Sequence, residues 1–237
     1  MKRLLFMSIT MFVVISFSQA QAQQEDANQI LKTALAKHER INDYQVNIEI
    51  ELDVDFINMP VKHAVMYYKH PQKIKFESDE FIMLPQKGLN FSLRNILKRD
   101  FTAIITGYEY IDQRKHYIIK IIPIKKHADI VLSTIWLDTE LFIISKVENN
   151  TRSDGSYTID FSYGARSDIL PSEMKVTFEV RHFKIPLKFI GRPIEIDKNK
   201  LKKGGGITGV VYLRYSDYKI NVGLKDDFFE EEVWSPH

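Results

Sequence analysis

The chain has no cysteine, so no disulfide framework holds it and no thiol chemistry is open to it. It also cannot carry a lipid on a cysteine behind a signal peptide. Charge imbalance is missing too: setting aside residues 1–22 removes Lys2 and Arg3 from 33 basic residues and nothing from 31 acidic ones, leaving 31 against 31. A neutral chain argues against nucleic acid as a partner. No Pro/Ser-rich linker and no internal repeat divides the sequence, and one domain is the economical reading of residues 23–237.

Catalytic signatures are equally scarce. His38, His63, His70, His116, His127, His182 and His237 form neither an H-x-H pair nor H-E-x-x-H, and they read as scattered surface histidines. The run KKGGG at 202–206 is not followed by the Lys-Ser/Thr that opens a helix in a phosphate loop, and KDDFFEEE at 225–232 lacks EF-hand spacing. There is no G-x-S-x-G, and spacing assigns no serine a histidine and acid partner. These absences exclude a recognisable metal, cofactor or catalytic site, and the expectation is a protein that is not an enzyme.

What is present begins with MKRLLFMSITMFVVISFSQAQAQ: two basic residues, an apolar run from Leu4 to Phe17, then Ala20-Gln21-Ala22. The run is shorter than the ~20 residues that span a bilayer and ends in a small-residue site, so residues 1–22 read as a cleaved signal peptide. Cleavage after Ala22 is the first choice and after Ala20 the second. Next, Ile30, Leu31, Ala34, Leu35, His38 and Ile41 recur at helical spacing over 26–41, with Asp26 as N-cap and Gln29 completing a capping box.

From Tyr44 the period changes to two, Tyr44, Val46, Ile48, Ile50, Leu52, Val54 and Phe56 alternating with polar residues. Further strands are predicted at 61–69, 73–78, 102–110, 115–122, 130–138, 141–149, 156–163, 174–182 and 207–218. Turns are legible at Asp112-Gln113, Asp138-Thr139 and Asp154-Gly155. Short connections imply antiparallel pairing. HYIIKIIPI, IVLSTIWL and LFIISKV are apolar on both faces and so must be covered on both sides. One helix cannot cover a sheet of nine or ten strands spaced ~4.8 Å apart. Either other segments, such as 85–100 with a short helix from Ser92 and 183–206, close over the sheet, or an apolar hollow is left.

The order of these features, with INDYQVNIEIEL, YYKHPQKIKFE, ITGYEYIDQRKHYIIKIIP, IWLDTELFIISKVENNTRSDGSYTIDFSYG, LPSEMKVTFEV and YSDYKINVGLKDDFF, resembles the LolA-like family of periplasmic lipoprotein-sorting and carrier proteins. The resemblance runs from about Gln29 to Phe229. It implies a mainly β fold, an incomplete antiparallel β-barrel wrapped around a few helices, with an apolar cavity. It also implies a soluble periplasmic carrier of lipoprotein or lipid acyl chains, without cofactor, monomeric, and served by inner- and outer-membrane delivery proteins. Expected cavity walls are Ile48, Ile50, Val65, Phe76, Ile119, Ile121, Trp136, Phe161 and Phe178, with Leu93, Ile96 and Leu97 on a lid; ordinary core packing is the competing account for each. The family carries an arginine before the strand-end proline where this chain has His70, which becomes the expected lid-control position. The alternatives are a regulatory module that binds a partner protein, as in related periplasmic stress sensors, and an outer-membrane β-barrel.

Overall fold

The computed structural model describes residues 27–54, 57–71, 73–78, 93–97, 100–124, 129–152, 155–164, 169–180, 195–196 and 207–230. The expected signal peptide, the expected Asp26 cap, the Asn90–Ser92 stretch and most of 183–206 lie outside these residues. Helix α1 covers 27–38. There follow β1 (Asp43–Asp53), β2 (Ile57–Asn58), β3 (Lys62–Lys69), β4 (Lys73–Glu77), helix α2 (Leu93–Leu97), β5 (Phe101–Ile111), β6 (Arg114–Pro123), β7 (Ile130–Asp138), β8 (Ile144–Thr151), β9 (Ser156–Ser162), β10 (Glu173–Val180), β11 (Glu195–Ile196) and β12 (Ile207–Ile220).

Among the described residues ten strands form one antiparallel sheet in the order β4-β3-β1-β12-β10-β9-β8-β7-β6-β5, and β2 pairs with β11 beside it. The end strands β4 and β5 do not meet, so the sheet is open. An open sheet leaves unpaired backbone at its edges and does not make a membrane-spanning barrel. The β5–β6 turn has positive φ at both Asp112 and Gln113, the geometry of a two-residue hairpin whose twist matches its strands. Residues 141–143, expected to open a strand, instead form a turn. The Asp138 carboxylate accepts the backbone N–H groups of Glu140 and Leu141, and Phe142 takes a φ of 52°.

Pairing fixes which side chains share a face. Ile48 lies opposite Ala64 and Tyr215, Ile50 opposite Leu213, and Ile119 opposite Ile135. This inner face carries the core, and α1 lies on it through Ala27, Leu31 and Ala34, all fully buried. Small residues let the helix axis approach the sheet closely. Lys37 Nζ then donates to the Leu141 carbonyl at 2.6 Å, fastening the helix to the β7–β8 turn.

At the other end of the inner face Gly209 admits the Phe178 ring. A Cβ there would stand 2.6 Å from Phe178 Cζ and 3.0 Å from Val54 Cγ2. Overpacking of this kind costs about 1–3 kcal/mol. Gly209→Ala is therefore expected to lower unfolding stability by that amount in urea titration, and Phe178→Leu in the same chain to restore part of it.

Candidate functional site

A pocket of about 520 Å³ opens where the end of α1, helix α2 and the inner face meet. Leu35, His38 and Glu39 form its helix side, and Leu93 and Arg94 of α2 stand across from them. The sheet supplies Tyr44, Met66, Tyr68, Phe161, Met174, Tyr215 and Tyr218, and Ile144 adds an apolar floor. The sheet side of the wall is thus largely hydrocarbon and aromatic, with five tyrosines counting Tyr163, while His38, Glu39 and Arg94 make the helix side polar.

Two of these tyrosines share a face because of an irregularity. β12 carries one extra residue against β1 between the pairs Asn47–Ser216 and Gln45–Lys219. Asp217 takes a φ of 56° there, and its carboxylate accepts a hydrogen bond from Asn47 Nδ2 at 3.0 Å. This is a β-bulge. Without it, side chains three apart would point to opposite faces; with it, Tyr215 and Tyr218 both reach the pocket. Tyr44 stacks on Tyr68 with centroids 4.9 Å apart and meets Tyr218 edge-on at 5.6 Å.

Burial pushes the hydroxyls of Tyr44, Tyr163, Tyr215 and Tyr218 far above the usual phenol range, and for Tyr44 and Tyr218 neighbouring tyrosines add to the effect. All four stay protonated donors. The formal charges at the rim compensate each other: Arg94 is ion-paired with Glu39 on α1. The same guanidinium lies 3.2 Å from His70 Nε2. Because guanidinium only donates, that nitrogen must accept, and the ring is neutral in this contact.

The expected site residues part company here. Phe161, Leu93 and His70 line the pocket. Ile48, Ile50, Ile119 and Ile121 lie on the inner face but are buried in the core cluster. Phe178 packs over Gly209, Leu97 packs against the core, and Phe76 sits on the inner face of edge strand β4, 40% exposed. The Ile96 side chain lies outside the described residues. Val65 and Trp136 face the other way. Val65 pairs with Asn47 and Glu77 and lines a second, more open depression on the outer face. Trp136 Nε1 donates to Glu109 Oε2 at 2.6 Å, with Lys146 Nζ 4.8 Å from the ring centroid.

Three histidines also depart from the surface reading. His38 and His70 line the pocket, and His116 is 2% exposed. His116 Nδ1 is 2.8 Å from the Arg114 carbonyl and must donate to it, and Nε2 shares a hydrogen bond with the Ser145 hydroxyl at 2.7 Å. Asp138 stands 3.9 Å from Nε2 rather than beside Nδ1 and is held by Arg114 Nε at 2.9 Å. A catalytic triad places the acid on Nδ1. This cluster instead pins the β6–β7–β8 end that carries the Leu141 carbonyl. Among the described residues no group of three His, Asp or Glu side chains has metal-binding geometry.

The sequence matches no protein-family model and no curated protein. Solved structures do match. A DUF1329 family protein from Desulfovibrio piger aligns over 88% of this chain and 98% of its own at 14% identity and a TM-score of 0.58. A domain named for outer membrane lipoprotein sorting, from Vibrio parahaemolyticus, aligns over 88% and 97% at 14% identity and a TM-score of 0.55. A LolA superfamily protein from Nitrosomonas europaea aligns over 84% and 96% at 15% identity and a TM-score of 0.46. The fold is the one shared with the first two of these structures: an open, mostly β half-barrel with a helix on its inner face.

Burial, and secondarily Lys37, hold the His38 imidazole below its ordinary value of 6.5. The unfolded chain therefore binds the proton more readily. This part of the stability is fully present above pH 6.5 and lost as pH falls from there through the lowered folded value. Urea titrations from pH 7.5 downward are expected to show a shallower acid loss in His38→Gln than in the parent.

Proposed function

We propose that the chain is a soluble, non-enzymatic periplasmic binding protein that holds acyl chains of a lipoprotein or free lipid in the pocket between α1, α2 and the inner face. The observation that carries this reading is the pocket itself, whose volume falls within the ~300–1,000 Å³ usual for small-molecule sites. Burial supplies the affinity, at about 0.8 kcal/mol per methylene. The neighbour named for lipoprotein sorting supports the same direction. In this reading residues 1–22 are removed on export, residues 23–237 are one domain, and delivery proteins at the inner and outer membranes load and unload it.

Helix α2 then acts as the lid. Leu93 faces the pocket, and Arg94 joins the lid to Glu39 of α1 and to His70 at the end of β3. His70 takes part in closure as a neutral acceptor.

The first test is mass spectrometry of organic extracts from protein purified without detergent from the periplasm of its own cells. Retained triacylated polypeptide supports lipoprotein carriage, and phospholipid or fatty acid supports lipid transport. A ligand-free monomer counts against the carrier and favours a module that binds a partner protein. Leu35→Trp fills part of the pocket from a half-buried position. Losing room for about two methylenes is expected to lower retained lipid roughly tenfold.

Arg94→Ala is expected to speed release of a preloaded fluorescent fatty acid in stopped flow. The unfolding midpoint should change little, because a half-exposed ion pair contributes only about 0–1 kcal/mol.

A further inference from the structure

The chain after β12 is held in two different ways. As far as Gly223 its backbone is fixed to the start of β1: the Asn221 N–H donates to the Asp43 carbonyl at 2.7 Å, Asn221 Oδ1 accepts from the Asn42 N–H at 2.9 Å, and the Gly223 N–H donates to the Asp43 carboxylate at 3.1 Å. Beyond Gly223, residues 224–230 cross to the outer face of β3 and β4 and end in a single 3-10 turn, Asp227–Phe229, with no buried residue. Among the described residues every hydrogen bond between this segment and the sheet comes from a lysine side chain.

The seat is a square of four outward-facing side chains. Register sets Lys69 opposite Lys73 and Tyr67 opposite Lys75. Lys69 Nζ donates to the Leu224 carbonyl at 2.7 Å and Lys75 Nζ to the Phe228 carbonyl at 3.1 Å. Asp226 lies between Lys69, at 2.8 Å, and Lys73, at 3.3 Å. The Phe228 ring meets Tyr67 edge-on at 4.8 Å, with Lys75 Nζ 4.2 Å from its centre.

Two features make this a docking site and not a permanent joint. Cations directly opposite one another on antiparallel strands repel, and the Asp226 side chain that bridges them is 65% exposed, so the bridge holds weakly. The segment also adds nothing to the core, and releasing it uncovers none; its tether at Gly223 keeps it seated by raising its local concentration. We propose that Tyr67, Lys69, Lys73 and Lys75 form a docking site for an acidic-aromatic segment of a partner protein, with a carboxylate two residues ahead of an aromatic ring, and that residues 224–230 occupy it as a tethered stand-in. A second copy offers the same segment without the tether and is at a disadvantage. Three lysines here meet two carboxylates, those of Asp226 and Glu77, so a partner with one more acidic residue gains an ion pair that the stand-in lacks. The site lies on the face away from the pocket and is independent of the carrier reading.

The test follows the fluorescence anisotropy of a labelled peptide, GLKDDFFE, which is residues 223–230 of this chain. In the full chain carrying Asp226→Asn and Phe228→Ala, which empties the seat, the peptide is expected to bind about tenfold tighter than to the parent, the factor expected of a site vacant about a tenth of the time. Adding Lys69→Gln and Lys73→Gln to the emptied chain is expected to remove the binding. A peptide with the same two replacements as the emptied chain is expected to bind neither protein. The urea midpoint of the emptied chain is expected to match the parent. Failure of the peptide to bind the emptied chain, or equal binding to it and to the parent, overturns the docking site and makes residues 224–230 a fixed part of the fold. Binding that survives loss of both lysines overturns it as well.

Discussion

The site depends on how α1 is seated. Ala27, Leu31 and Ala34 are fully buried against the inner face, and their small or compact side chains bring the helix close enough for Lys37 to reach the Leu141 carbonyl. A helix of twelve residues is about 18 Å long, whereas ten strands at ~4.8 Å spacing span roughly 40 Å. Once the helix is fixed at the β7–β8 turn, its last turn falls over β1, β3 and β12. There Leu35, His38 and Glu39 become one side of the pocket instead of part of the core. The buried cluster of His116, Ser145 and Asp138 belongs to the same arrangement, because it holds the turn to which the helix is tied.

The second condition is the bulge in β12. A sheet that kept strict alternation would offer the pocket one of Tyr215 and Tyr218. The extra residue at Asp217 turns both inward, next to Tyr44 and Tyr68, and the aromatic rings pack on each other at 4.9 to 6.1 Å. This packing fixes the rings and leaves the choice of hydroxyl partner to what lies around each oxygen. Three find carbonyls within the frame.

Much of this architecture is legible in the chain before folding. The period-two run from Tyr44 and the turn at Asp112-Gln113 correspond to β1 and the β5–β6 hairpin, because a half-buried strand and a tight turn each leave a local mark. The face of a strand apolar on both sides leaves none. IVLSTIWL reads the same in either orientation, and only pairing with β6 and β8 places Ile135 inside and Trp136 outside. Val65 is misplaced for a related reason: its inward or outward sense follows from register with β1, where it meets Asn47. The two pocket tyrosines of β12 are hidden altogether, since a bulge breaks the alternation on which the reading relies. Its one local trace is the run Ser216-Asp217, with an aspartate at a position that needs the left-handed conformation.

His70 shows why a single substitution within a shared pattern need not remove the contact it replaces. Where the resemblance places an arginine at the strand end, this chain has an imidazole there and a guanidinium on α2, and the two meet at 3.2 Å. The cation lies on the helix, and Glu39 of α1 neutralises it. A strand-end arginine would direct its charge from the frame toward the lid. Here α2 carries the charge, and the end of β3 contributes an imidazole nitrogen. The consequence for the pocket is electrostatic: among the described residues its one lining guanidinium, that of Arg94, is committed to holding two helices together.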